Sequence, residues 1–454
     1  MKRIVFIIFI NLNIICISAQ LPLLNITTIN GETPTCDFIF PPEGATGVST
    51  TNQNVVPGRA ILSLNDSIIF DSGEYEEDFS GITIRIRGNS SAYLFSKKPY
   101  KIKLEKKYDM LGRGDKRFYD KNWILVNAFD TNINTVLGLK INELLGLGDW
   151  TPQYVFVEFY LNNKFMGIYM LMENIRRNAD CRINVDKNTG YLIECDPYWW
   201  NEPIYFTTSL NKNFTFKYPN DDTITEEQIE YIKLWIDQFE ESISTGNYDN
   251  YIDVESFALW LLAHDILSTW DCSGSNQFIT KYDNTIDSKL KMSTLWDFDT
   301  SFNDENNWGR VHEHSFFYYP LLFNSPNNVF TKTYKNLWNK NKDKWFDEMN
   351  NFLQEFRLSE TARNLQAGRM KEAELFGYSP ADVYTNIDDA IQWFNKRKQW
   401  LDTHINDIPT EIYHVYDNSH YNKSYLMNIN GQRVSHQNQQ TGIYIKNGKK
   451  IIRK

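Results

Sequence analysis

The period of the hydrophobic pattern changes part way along the chain, and this change restricts the fold more than any other feature. Before about residue 195, apolar and polar residues alternate in short runs such as 82–87 and 100–104, which is typical of half-buried strands. One helix, over residues 133–145, is predicted to interrupt this part. Later apolar residues recur at helical spacing. Strands followed by helices predict an α+β fold with segregated layers.

The later part of the chain carries clear helix signals. Thr225 and Gln228 have the spacing of a capping box ahead of an apolar face. Further helices are predicted over residues 254–267, 338–356, 360–375 and 381–405. A short strand pair is predicted at 278–280 and 293–296, and two small hairpins over residues 425–452. The chain therefore divides into a leader (1–19), an N-terminal β region (20–80), a principal domain (81–408) and a C-terminal β unit (409–454).

The leader has the order of a secretory signal peptide. Lys2 and Arg3 precede an apolar run at residues 4–17, and Ser18 and Ala19 supply small residues before a cleavage site. We therefore expect export, to the cell surface or the medium, with loss of residues 1 to about 19. No later stretch reaches eighteen uninterrupted apolar residues, so no transmembrane span is expected.

Charge and cysteine content limit the possible partners. The chain has 47 basic and 57 acidic residues, a formal net charge of -10, and no block of like charges, so nothing indicates nucleic-acid binding. Export permits disulfides. Cys181 and Cys195 flank a Gly-containing turn, and either a disulfide or two unpaired thiols fits this spacing.

Two polar segments of the β-rich part suggest phosphate binding. The first contains Arg87, Gly88, Asn89, Ser90 and Ser91, and Lys97 and Lys98 follow it. Backbone N–H groups of such a turn, with a basic pair nearby, can hold phosphate oxygens, although similar turns also occur as solvated loops.

The second segment ends in Glu173, directly after an apolar strand. An ionised carboxylate in that position needs a partner unless water reaches it, and a lysine of the first segment is the natural candidate.

Two further segments, in the helical part, suggest metal and proton chemistry. Asp271 and Asn276 stand five residues apart, the spacing of the catalytic Asp and metal-binding Asn in the protein-kinase catalytic loop. Asp297 and Asp299 follow a β run two residues apart, so a strand would point both carboxylates to one face. Their repulsion requires a nearby cation, and oxygen ligands beside a polyanionic substrate suit Mg²⁺ or Mn²⁺.

The four segments occur in the order in which protein kinases use such groups. With the motif at residues 157–174, which spans a predicted hairpin, and the Trp-Asp-Phe-Asp motif at 296–299, they make residues 23 to 405 resemble the CotH kinase family, named for a spore-coat protein. The resemblance implies an atypical protein-kinase-like fold that binds ATP with Mg²⁺ or Mn²⁺.

Carried over residue by residue, the resemblance assigns a role to each segment. It implies that Lys97 or Lys98 contacts the nucleotide, with Glu173 as its partner, and that Asp271 is the catalytic aspartate. It implies that Asn276, Asp297 and Asp299 hold the metal. The family usually carries an Arg shortly after an Asp in the region of Asp130, and this chain has none there.

The C-terminal segment has a resemblance of its own. Residues 428–434 and 442–450 are similar to the sorting domain of the type IX secretion system of Bacteroidota. This implies export across the outer membrane, with attachment to the cell surface or release. A short β appendage of the main domain is the alternative.

Three hypotheses of function follow. The first is a secreted or surface kinase that transfers phosphate from ATP to Ser or Thr of a protein. The second is a pseudokinase that binds a protein or glycan, with Trp199, Trp200 and the aromatic run 316–319 as sugar-stacking candidates. The third, a glycosidase with Asp297 and Asp299 as its acid pair, is disfavoured because strand neighbours do not flank a scissile bond.

Overall fold

The computed structural model describes residues 20–126, 132–269, 271, 272, 274–302, 305, 308, 317–377 and 382–409, with four short strands after residue 425. The predicted signal peptide, Asp130 and Phe316 lie outside the described residues. Strands dominate the first part and helices the second, so the predicted mixture of α and β structure, and its order, are confirmed.

The first part contains ten strands and two helices. The strands are β1 (Leu23–Thr28), β2 (Asp37–Ile39), β3 (Ser49–Thr51), β4 (Val56–Leu64), β5 (Ser67–Asp71), β6 (Ile82–Ile86), β7 (Tyr100–Tyr108), β8 (Asp120–Val126), β9 (Tyr154–Leu161) and β10 (Lys164–Glu173). The short helix α1 (Ser90–Leu94) follows β6, and α2 (Asn132–Leu145) follows β8.

Eight of these strands form one sheet that closes into a barrel. The order is β1-β9-β10-β8-β7-β6-β4-β5, and β1 pairs with β4 as well as with β9, so every strand except β5 belongs to the closed ring. The alternation of the sequence predicts the strands but not this closure, because the closing pairs join strands that lie far apart in the chain. The boundary predicted near residue 80 runs through the barrel.

The second part is a smaller sheet surrounded by helices. The sheet is antiparallel, in the order β12-β13-β11-β14-β15. Its strands are β11 (Tyr191–Cys195), β12 (Tyr205–Thr207), β13 (Asn213–Tyr218), β14 (Gln277–Lys281) and β15 (Leu290–Met292). The helices are α3 (Glu226–Thr245), α4 (Val254–Leu267), α5 (Tyr319–Phe323), α6 (Val329–Leu358), α7 (Glu360–Phe376) and α8 (Val383–Asn406).

Two hydrophobic cores hold the fold together. One fills the barrel with inward side chains such as Ile84, Ile102 and Leu171. The other packs the outer face of the barrel, including Ile124 and Met170, against the helices. Each strand of the barrel therefore buries residues on both faces where the helices cover it. Among the described residues, no helix combines the length and hydropathy needed to span a bilayer.

Most predicted elements agree with the structure to within a few residues. Thr225 and Gln228 form the predicted capping box of α3, and α4 has the predicted bounds. The predicted strand at 293–296 is wrong, because β14 pairs with β15, which ends at Met292. Cys181 and Cys195 are unpaired thiols, the second of which is buried in β11.

The C-terminal unit forms a small sheet of its own. Its strands are β16 (Leu426–Asn428), β17 (Arg433–Val434), β18 (Gly442–Lys446) and β19 (Lys449–Arg453), in the order β17-β16-β18-β19. These are the two small hairpins that the sequence predicts.

Candidate active site

The segment that follows α4 presents the first candidate carboxylate. Ser268, at φ 51°, ends the helix in the left-handed conformation, and Asp271 comes three residues later with its side chain exposed. Asn276, half-buried before β14, is also left-handed at φ 60°. Such backbone conformations are uncommon outside glycine and concentrate where function requires a particular geometry.

The second segment lies between β15 and α5. Residues 293–295 are buried, Asp297 is exposed at φ 63°, Phe298 is buried and Asp299 is exposed. The left-handed residue explains why this stretch is not the predicted strand.

Hydrogen bonds join the two segments. The N–H of Asp271 donates to Oγ1 of Thr300 at 3.2 Å, and the hydroxyls of Thr269 and Ser301 lie 2.6 Å apart. The N–H of Phe302 donates to the carbonyl of Leu267 at 2.9 Å. The segments therefore act as one unit that fixes the distance between their carboxylates.

The three carboxylates affect one another electrostatically. Asp297 is closely surrounded by protein although water reaches it, and this desolvation raises its pKa to about 7, with further contributions from Asp299 and Asp271. Desolvation and the charge of Asp299 also raise the pKa of Asp271. Mutual repulsion of this kind is relieved when a cation binds between the groups.

Helix α2 holds the Asp297 segment in place. Phe298 packs directly on Gly138, where an added Cβ would lie 2.2 Å from the Phe298 ring. The buried Asn142 accepts hydrogen bonds from the N–H of Leu295 at 2.8 Å and from Oγ1 of Thr294 at 3.2 Å. The sequence predicts α2 but gives no sign of these contacts.

The outer face of the barrel supplies a row of cations beside the carboxylates. Arg85 and Arg87 project outward from β6 and its end, and Lys101 and Lys103 project outward from β7, because their neighbours Ile84, Ile86, Tyr100 and Ile102 fill the barrel. Asp297 favours the charged form of Arg87, which opposes the desolvation that lowers its pKa. The end of β6 therefore lies against the carboxylates.

Of this row, the sequence analysis selected only Arg87, and Lys101 is the most notable of the residues that it missed. It is half-buried, and desolvation together with Arg85, Arg176, Arg87 and Lys103 lowers its pKa to about 8. Within the described ranges, no hydrogen bond or ion pair to its ammonium group is found. The sequence pattern could have indicated its position, because the alternation of apolar and polar residues in 100–104 places Lys101 on the strand face opposite Tyr100.

A pocket of about 330 Å³ includes Lys101 in its lining. Its lining also contains the cations Arg85 and Lys103 together with Tyr75, Glu77, Asp78 and Glu105. It combines cations for an anionic group with acceptors for hydroxyl or amino groups.

The predicted pairing of a lysine with Glu173 is wrong. Lys97 is buried and pairs with Glu372 of α7, and it also donates to the carbonyl of Ile168 at 2.5 Å. Lys98 donates to the carbonyl of Ala92 at 2.6 Å. The partner of Lys97, Glu372, comes from a helix about 275 residues later in the chain, which local sequence motifs do not reveal.

Glu173 has a structural environment. It is fully buried, lies 2.9 Å from a guanidinium nitrogen of Arg113, and accepts hydrogen bonds from Nε1 of Trp150 and the N–H of Gln153. Trp150 packs against the same hydrophobic cluster as Trp296, so Glu173 helps to fix the surroundings of the Asp297 segment.

The loop between β6 and α1 covers the end of the cation row. Gly88 is at φ 81°, and the Asn89 side chain accepts hydrogen bonds from Ser49 and Thr50. Ser90 is exposed, and its Oγ lies 2.7 Å from the hydroxyl of Tyr198. Burial chiefly raises the pKa of Tyr198, and the charge of Asp271 adds to this, so the loop and Asp271 approach the same tyrosine.

The donor set fits a divalent cation with a phosphate chain. The carboxylates of Asp297 and Asp299 and the amide oxygen of Asn276 are oxygen ligands of the type that Mg²⁺ and Mn²⁺ prefer. Arg87 and Lys101 carry the positive charge that suits phosphate groups. In the described part of the chain, no three His, Cys, Asp or Glu side chains form a ready metal cluster.

The aromatic residues considered for sugar stacking differ in their exposure to solvent. Phe317, Tyr318 and Tyr319 are core residues. Trp199 and Trp200 are half-buried, and Trp200 donates from Nε1 to the carbonyl of Thr46.

One comparison with known proteins is informative. The family model described as CotH kinase protein matches residues 84–401, well over half of the chain, and includes nearly every residue of the site. A search of curated proteins gives no match.

Proposed function

Because the chain belongs to the CotH kinase family, we propose that it transfers the terminal phosphate of ATP to a Ser or Thr hydroxyl of a protein, with Mg²⁺ or Mn²⁺. The observation that carries the proposal is the electrostatic coupling of Asp271, Asp297 and Asp299 beside the cations Arg87 and Lys101. The cations suit a phosphate chain, and the carboxylates suit the metal and the acceptor hydroxyl.

Each residue has a distinct part in the proposed reaction. Arg87 and Lys101 bind phosphate oxygens and stabilise the charge that develops on them. Asp297, Asp299 and Asn276 would hold the metal, which would supply positive charge to neutralise the phosphates. Asp271 orients the acceptor hydroxyl and takes its proton on a carboxylate oxygen.

In this proposal Lys101 replaces Lys98 as the lysine that contacts the nucleotide. Lys97 and Lys98 hold the loop and the barrel instead, through Glu372 and the carbonyls of Ile168 and Ala92. Ser90 and Ser91 stay candidates for phosphate contact, while the Asn89 side chain is used elsewhere.

The test is incubation of the mature protein with labelled ATP and Mn²⁺ or Mg²⁺, with a chelator as the control. Incorporation of phosphate that needs the metal supports transfer. Nucleotide-independent binding of a protein or glycan, with no incorporation, favours the pseudokinase alternative.

We also propose that the protein acts outside the cytoplasm. The order of charges and apolar residues in positions 1–19 and the tail similar to a type IX sorting domain both support export. Mass spectrometry of extracellular protein is expected to find an N-terminus near residue 20. Detection of Met1 on that material would contradict cleavage.

A further inference from the structure

A segment that precedes the residues matched by the family model lies between the loop after β6 and the turn after β11. This strap, residues 46–53, includes β3 and contacts the loop that follows β6. Oγ of Ser49 and the N–H of Thr50 donate to Oδ1 of Asn89 at 3.0 and 3.3 Å. Oγ1 of Thr50 donates to the carbonyl of Gly88 at 3.0 Å. The strap thus holds both the backbone and a side chain of the loop.

The other side of the strap is fixed to the turn that follows β11. Nδ2 of Asn201 donates to Oγ of Ser49 at 2.8 Å, and Nε1 of Trp200 donates to the carbonyl of Thr46 at 3.2 Å. Gly47, at φ 83°, lies flat on Tyr198, since an added Cβ would be 2.5 Å from the tyrosine ring. A side chain at position 47 would separate the strap from this turn.

The strap residues at the centre of these contacts are enclosed. Ser49 is 3% exposed and Thr50 is 8% exposed, and both hydroxyls donate and accept hydrogen bonds. Loss of one partner would leave buried polar atoms unsatisfied. Because Oδ1 of Asn89 already accepts from the strap, its side chain serves to position the loop and not to bind phosphate.

We propose that Ser49, Thr50 and Asn201 are positioning residues, which hold the Gly88–Ser91 loop at a fixed distance from Asp271 so that its backbone meets the phosphates of the nucleotide. This inference rests on the proposed function. At the surface, a hydrogen bond between the hydroxyls of Ser90 and Tyr198 joins the loop directly to the turn after β11. The loop is therefore set in place before nucleotide binds.

The predicted kinetic effect is specific. The loop contacts phosphates equally before and during transfer, so loosening it removes binding energy from the ground state and the transition state alike. Such a loss raises KM and leaves kcat unchanged. A loss at Asp271 or the metal ligands would instead lower kcat.

The experiment compares Thr50→Val and Asn201→Ala with wild type and with Asn52→Gly, all in the full chain. Asn52 lies in the same strap, but its side chain bonds only Asp37 among the described residues, and glycine suits its φ of 46°. Thermal unfolding checks that each variant folds. KM and kcat for ATP are measured, and hydrogen exchange is followed in residues 88–95 without nucleotide.

We expect both strap variants to raise KM roughly 2- to 10-fold, the range for one hydrogen bond, with kcat unchanged and faster exchange in residues 88–95. The control should match wild type. Unchanged exchange and KM in both variants, or a fall in kcat at constant KM, would overturn the inference. If wild type transfers no phosphate, the proposed function fails, and the exchange comparison alone decides whether the strap holds the loop.

Discussion

The surroundings of Lys101 disfavour its charged form unless an anion binds beside it. Desolvation, together with four other cations, lowers the pKa of Lys101, and the acidic residues in its pocket lining are Glu77, Asp78 and Glu105. A phosphate chain would supply the missing negative charge. Lys101 is therefore expected to contribute more to nucleotide binding than Lys97 or Lys98.

Replacing Lys101 tests this assignment. Lys101→Ala should weaken ATP binding by roughly 10-fold or more, the effect of losing a charged hydrogen bond, while Lys98→Ala should change it little. Calorimetry with Mg²⁺ present measures both. If the two variants lost ATP affinity equally, Lys98 would again be a candidate for the lysine that contacts the nucleotide.

The same lysine predicts a pH dependence. Its pKa in the free protein is about 8, so the protonated form that we propose to bind phosphate is lost as pH rises through that value. The groups that face it are Arg85, Arg87, Lys103, Arg176, Tyr75, Glu77, Asp78 and Glu105.

ATP affinity should therefore fall between about pH 7 and about pH 9, by up to tenfold per unit above the pKa. Lys101→Arg, which keeps its charge, should remove this dependence. A wild-type affinity that is flat over the range, or equally steep in the variant, would exclude Lys101 as the titrating group.

The sequence was a better guide to which residues belong to the candidate site than to which residues contact one another. Asp271, Asn276, Asp297 and Asp299 were selected from spacing, and the structure brings the three carboxylates into electrostatic contact. Glu372 was not selected, because its pairing with Lys97 depends on tertiary packing of α7 against β10. Spacing along a chain holds no information on such a contact.

At the scale of elements, the Asp297 segment depends on α2. The ring of Phe298 occupies the space that a side chain at position 138 would take, so Gly138 sets how closely the helix approaches. Asn142 then ties residues 294 and 295 to the same helix. Movement of α2 would therefore shift the Asp297 segment, which holds the proposed metal ligands Asp297 and Asp299.

Gly138→Ala tests the contact between helix and segment. Alanine is ordinarily better than glycine in a helix by about 1 kcal/mol, but overpacking against Phe298 should cost about 1–3 kcal/mol. We expect weaker ATP binding with Mg²⁺, and partial rescue by Phe298→Leu. Glu143→Ala, exposed on the same helix, is the control. Normal binding in Gly138→Ala would show that the contact is adaptable.

Asn142→Ala tests the hydrogen-bonded tie. It leaves the N–H of Leu295 and Oγ1 of Thr294 without their acceptor, and each buried unsatisfied group costs about 1–3 kcal/mol. Denaturant unfolding should show a loss of stability of that order. A loss below about 0.5 kcal/mol, the usual range for surface changes, would mean that other acceptors replace it.

At the scale of the whole molecule, the site lies where the barrel, the second sheet and the helices meet. The barrel supplies cations, the segment after α4 supplies Asp271, and the segment after β15 supplies Asp297. Local alternation and helical spacing predict most of these elements. Barrel closure and the strap were not predictable, because both depend on pairing between distant segments, for which one sequence gives no register.

The most direct test of this site is phosphate transfer by wild type and by Asp271→Ala, measured with labelled ATP and Mn²⁺ and accompanied by calorimetry of ATP binding. In the proposed reaction Asp271 receives the acceptor proton, a role worth on the order of 10²–10⁴ in rate. We expect wild type to incorporate phosphate, and the variant to lose incorporation by that factor while binding ATP nearly as well. Equal incorporation by the two proteins, or none by wild type under these conditions, would contradict the assignment.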